Sequence, residues 1–107
     1  MHVRQHFVIV NEDSQIPLDY EIDFTKSDML KLQVIGDGTC EIKVYGKISK
    51  DLDYLEVSIL KDSDYSFINT ITEKGLYTVS ATGYQMIKVS VISAESVSCY
   101  ANEVSEV

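Results

Sequence analysis

The sequence has no tryptophan, a single proline and only two histidines, His2 and His6, both near the start of the chain where termini tend to be mobile. It has no G-x-S-x-G, no phosphate-cradling glycine loop, and no cysteine with a histidine beside it. Carboxylates are plentiful, but a glycosidase-type couple needs two of them across a groove with one desolvated. The alternation of Asp19, Glu21 and Asp23 suggests a solvated sheet face instead. The expectation is a protein that is not an enzyme and needs no cofactor. Basic residues are scarce as well: nine Lys and Arg against 17 Asp and Glu give a net charge of −8. That charge repels phosphate backbones, and no basic stripe interrupts it, so no nucleic-acid partner is expected. No run approaches the ~18 apolar residues of a membrane span. Phe7–Val10 is too short for a signal-peptide core, so synthesis in the cytoplasm without export is expected. The two cysteines, Cys40 and Cys99, lack metal-type spacing and read as reduced, buried small hydrophobes; whether they are neighbours is left open.

What the sequence has is period two. In Leu18-Asp19-Tyr20-Glu21-Ile22-Asp23-Phe24 the apolar and aromatic residues fall on one face and the acids on the other, a strand with a buried and a wet side. The same template recurs at Leu30/Leu32/Val34, Cys40/Ile42/Val44, Leu55/Val57/Ile59, Tyr77/Val79/Ala81, Ile87/Val89/Val91 and Val97/Cys99/Ala101, with a weaker run at Phe67/Asn69/Ile71. With Phe7–Val10, about nine short strands are readable. Turn chemistry punctuates them: Gly36-Asp37-Gly38, Lys50-Asp51-Leu52-Asp53, Asp62-Ser63-Asp64, Glu73-Lys74-Gly75, Thr82-Gly83 and Ser93-Ala94-Glu95. Pro17 stands just ahead of a strand, where it costs no ladder hydrogen bond. Short strands at this spacing, with no helix-period segment, predict an all-β antiparallel sandwich of eight or nine strands, with a jelly roll among the topologies that fit.

Residues 17–107 read as the sandwich domain, and residues 1–16 as an N-terminal strand or arm followed by a polar loop. Two readings of that strand stay open: pairing inside the sandwich, or adding to the sheet of a neighbouring subunit. Asp62-Ser63-Asp64-Tyr65-Ser66 with Glu73 mimics the ligand spacing of an EF-hand, but Phe67 stands where that loop needs glycine and strands flank it, so no metal site is expected. Tyr45, Tyr54 and Tyr100 are out of phase with the core residues of their strands, as outward tyrosines are. Leu60, Ile68, Met86 and Ile92 are further out-of-phase surface candidates.

Two segments carry a family resemblance: Gly38-Thr39-Cys40-Glu41-Ile42-Lys43-Val44-Tyr45-Gly46, and Ile71-Thr72-Glu73-Lys74-Gly75-Leu76-Tyr77-Thr78-Val79-Ser80-Ala81-Thr82-Gly83-Tyr84 running on through Gln85-Met86-Ile87-Lys88-Val89-Ser90-Val91. The pattern, spanning residues 34–104, resembles the small β-sandwich virion domains of tailed bacteriophages, found in head decoration proteins, head fibres, neck or tail accessory proteins and baseplate adaptors. The resemblance implies a non-enzymatic structural subunit of a phage or prophage particle, in the head or as a tail accessory, with capsid or tail proteins as partners. It places the chain in the virion, assembled in the host cytoplasm, and carries over no catalytic residue. Sheet edges and the frequency of cyclic symmetry add the expectation of a homo-oligomer. The pattern leaves Met1–Asp28 uncovered, so attachment is expected there and at loop ends, with His6, Phe7, Ile9, Tyr54 and Tyr65 as candidate partner-binding residues. The alternative reading is a module that binds a carbohydrate or host surface through the loops at one end, using Tyr54 or Tyr65.

Overall fold

A computed structural model describes residues 1–106. The described residues form eight antiparallel strands and no helix: β1 (His2–Val10), β2 (Leu18–Asp23), β3 (Met29–Lys47), β4 (Leu55–Glu56), β5 (Ile59–Lys61), β6 (Ser66–Ile68), β7 (Gly75–Ser80) and β8 (Met86–Ser105). The architecture is an all-β sandwich. Its spine is the pair β3 and β8, matched from Met29 opposite Val104 to Lys47 opposite Met86. Straight strands of 19 and 20 residues would reach roughly 65 Å at the usual rise, yet the molecule's longest dimension is 34 Å. Both strands must therefore bend.

The bend falls where the register slips, between Gly36 and Thr39 opposite Glu95–Val97. Gly36 takes a φ of 117° and Ser96 one of 58°. A Cβ on Gly38 would sit 1.6 Å from the Glu95 carbonyl oxygen, so only glycine lets the two backbones approach there. On both sides of the bend the same residue parity is buried. In β3 it is Leu30, Leu32 and Val34, then Cys40, Ile42 and Val44; in β8 it is Ile87, Val89 and Val91, then Val97, Cys99 and Ala101. One face of the ribbon is thus inside throughout, and the ribbon is folded over onto it.

Each half of the ribbon seeds a layer. The halves built on Met29–Gly36 and Val97–Ser105 take β1 on one side and β7, β5 and β6 on the other. The halves built on Ile42–Lys47 and Met86–Val91 take β2 on one side and β4 on the other. Phe24, Ile59, Ile71 and Tyr77 complete the core between the layers.

Several expectations change. Gly36-Asp37-Gly38 and Ser93-Ala94-Glu95 are not loops between strands; they are bends inside β3 and β8, so four of the readable segments merge into two strands, and the division of the Leu55–Ile59 run brings the total to eight. Leu55 and Phe67, in phase with expected core residues, are each 73% exposed. The run Leu55/Val57/Ile59 is no single strand. It breaks at Val57-Ser58, where the chain leaves β3 in one layer for β7 in the other, and the parity rule breaks with it. The run from Phe67 to Ile71 also divides, into β6 and a lone bridge from Ile71 to Ile42. The N-terminal strand pairs within the domain's own sheet, along β8, with register shifts at Val3/Gln5 and Val8/Val10. Cys40 and Cys99 are both free and buried. Burial pushes the Cys99 thiol up to about 12, with Cys40 adding to the shift.

Candidate functional site

The five residues singled out from the sequence do not converge on one site. His6 lies on the outer face of β1, exposed, with its ring stacked at 6.1 Å on Tyr100 and Nδ1 2.6 Å from Asn102 Oδ1 on the neighbouring strand. Phe7, the next residue, points inward and meets Tyr20 of β2 edge-to-face at 5.6 Å, joining the two layers at their open side. Ile9 is 2% exposed and belongs to the core, so its side chain offers nothing to a partner; the alternation that placed Phe7 inside places Ile9 deeper.

Tyr54 lies on the outer face of the opposite layer. Its hydroxyl donates to Glu21 Oε2 at 3.2 Å, reaching over the sheet to β2. Lys47 Nζ sits 4.5 Å and Lys88 Nζ 4.7 Å from its ring centre, while Lys88 is also 5.0 Å from the ring of Tyr45. The row is written by register: Glu21 opposite Lys88, Lys88 opposite Tyr45, and Tyr45 opposite Glu56. Burial, followed by the Glu21 carboxylate, pushes the Tyr54 phenol up to about 12, so it stays a hydrogen-bond donor at neutral pH. The two rings are capped by ammonium groups. The patch is a mutually satisfied network pinning the residues before β4 to the sheet, not an open aromatic platform.

Tyr65 is 78% exposed at the β5–β6 turn with a φ of 59°, and Phe67 beside it is 73% exposed. The turn is held by Asp64, whose carboxylate accepts from the Ser66 amide and hydroxyl. Those two bonds hold the Asp64 carboxyl below its ordinary value. This hairpin ends one layer and presents two aromatic rings to solvent.

A fourth place was not visible among the sequence candidates. On the open side of the sandwich, between β1 and β2, lies a cleft of about 340 Å³ lined by Gln5 and Phe7, by the consecutive residues from Asp19 to Asp23, and by Glu103. Glu103 is 6% exposed. The signal that could have found it is parity: Glu103 continues the inward series Val97, Cys99, Ala101 and puts a carboxylate where the period demands a core residue. Among the described residues no group of three or more His, Cys, Asp or Glu is placed to hold a metal ion.

No family model matches the sequence, and no curated protein matches it. Solved structures do share its fold. The SPBc2 prophage-derived protein YomS superposes with a TM-score of 0.78 at 18% identity, over 94% of this chain and 92% of its own. The PBSX exported protein XepA gives 0.77 at 18% identity; this chain covers 37% of that protein's length. A more distant likeness, 0.56 at 15% identity over 92% of this chain and 72% of the other, links it to CpGH89CBM32-4 of Clostridium perfringens, solved in complex with GlcNAc-alpha-1,4-galactose. The sandwich is therefore one shared, across nearly the whole of this chain, with a prophage-derived protein and with the PBSX exported protein.

Proposed function

We propose that this chain is a non-enzymatic structural subunit of a bacteriophage or prophage particle, attached to other virion proteins as a head or tail accessory and assembled in the host cytoplasm. The observation that carries the reading is the end-to-end likeness to a prophage-derived protein of the same extent, which agrees with the phage-domain pattern over residues 34–104. The surface is in keeping with it. The Tyr54 network is satisfied within the molecule, while the sheet edges and the exposed rings of the β5–β6 hairpin are open. Edges of this kind suit attachment and homomeric assembly. The test is co-sedimentation: the chain should band with induced particles in a density gradient at a fixed copy number, and its absence from purified particles overturns the reading.

A second reading, recognition of a glycan or host surface, rests on the shared fold of CpGH89CBM32-4 and on the exposure of Tyr65. It expects saturable binding on a glycan array that is lost in Tyr65→Ala and kept in Tyr54→Ala, since the Tyr54 ring is already capped by two lysines. Binding to no glycan removes this reading.

A further inference from the structure

The cleft between β1 and β2 contains a carboxylate that no other described residue bonds. Glu103 is 6% exposed and makes no hydrogen bond or ion pair with any described residue, although its backbone pairs with Gln5 on one side and Leu30 on the other. The acids on the rim are different. Asp19 accepts from Ser90 Oγ at 2.7 Å, Glu21 from Tyr54, and Asp23 from Thr25. These lie on the outer face of β2, so the inward charge of the cleft is that of Glu103 alone. Its carboxylate oxygens open onto the cleft, so their acceptor positions face any chain laid there. Phe7 and Tyr20 stand beside it as aromatic walls, a combination that suits a guanidinium or ammonium group.

The cleft also has a direction. Five consecutive residues of β2, Asp19 to Asp23, line it, and among the described residues β2 pairs only with β8. The other edge of β2 is unpaired. An extended chain laid there would gain backbone hydrogen bonds along β2 while one side chain turned in toward Glu103. We propose that this cleft is a docking groove for an extended, basic segment of a partner protein, whose arginine or lysine side chain pairs with Glu103. The partner's positive charge complements a chain of net charge −8. That the groove serves attachment within a particle rests on the function proposed above; the groove itself stands on its geometry.

The test uses the full chain, isotopically labelled, titrated with the capped peptide acetyl-Thr-Val-Arg-Val-Thr-amide and with the same peptide carrying neutral citrulline in place of arginine. Saturable amide shifts are expected in β1, β2 and around Glu103. Citrulline, and separately Glu103→Gln, should each weaken binding roughly tenfold or more, as removal of one member of a desolvated charge pair does. Equal binding of the citrulline peptide, no saturable shift at the cleft, or unchanged binding in the variant would each overturn the proposal. Failure here leaves particle association intact. Loss of co-sedimentation with cleft binding retained would remove the particle role and leave the groove.

Discussion

Gly38 and Gly83 separate two reasons for being glycine. A Cβ on Gly38 would lie 1.6 Å from a backbone oxygen of the facing strand, and neither strand can move without opening the bend. Gly83 has nothing within 4 Å of such a Cβ but holds a φ of 90°. Gly38→Ala should therefore cost roughly 3 kcal/mol, the upper end for overpacking, and Gly83→Ala about 1 kcal/mol of backbone strain alone, both read from denaturant unfolding. Asp62 gives a pH signature. Its carboxylate accepts from Lys31 Nζ at 2.6 Å and Thr78 Oγ1 at 2.8 Å. Burial pushes the carboxyl up, but those two donors outweigh it and hold the group below its ordinary 3.8. A depressed native value stabilises the fold fully above 3.8 and loses that stabilisation as pH falls through the lower native value. Asp62→Asn should thus unfold at a lower temperature than the native chain at neutral pH, with the difference vanishing in strong acid. A gap that persists unchanged in acid would mean that the ion pair is not its source.

At the scale of the element, β8 is the strictest test of register. Val89 is fully buried, while Lys88 lies over the rings of Tyr45 and Tyr54 and opposite Glu21. Val89→Asp should prevent folding by burying an unpaired charge. Lys88→Asp should fold, but not neutrally: it removes two cation–π contacts and sets a carboxylate opposite Glu21, costing about 1–2 kcal/mol. Thermal unfolding of the two variants checks both, and the reverse order would mean a strand one residue out of register. The parity of β2, β7 and β8 was legible because each lies between one core and one solvent face, so side-chain polarity records the pleat directly. It failed at Leu55 and Phe67, where the chain changes layers and edge strands of two or three residues have few neighbours to enforce a phase. It also failed at Gly36–Gly38, because glycine marks a tight turn and a strand bend alike.

Across the whole molecule the first and last strands lie side by side, with β1 closing one layer along the C-terminal half of β8. That changes what removal of the N-terminal strand would do. Ile9 and Val10 are 2% and 1% exposed, and burying each contributes about 1.5–3 kcal/mol. Deleting β1 should therefore cost about 3–6 kcal/mol from these two residues, against a total of roughly 5–15 kcal/mol for a domain of this kind. A folded, fully stable truncation that had merely lost attachment would contradict this. The cleft belongs to the same scale, since Gln5, Tyr20 and Glu103 meet only because β1 and β2 stand on facing layers. By itself the sequence determined the class: an all-β sandwich without a helix, which residues turn inward in most strands, and which glycines interrupt them. Those follow from polarity alternating over a few neighbouring positions. Tertiary structure alone decided that two pairs of readable strands are each one bent strand, that the N-terminal strand closes the domain's own sheet, and that Glu103 faces an open cleft beside the unpaired edge of β2. Each of those depends on which distant segments pair, and local alternation carries no record of a strand's partner.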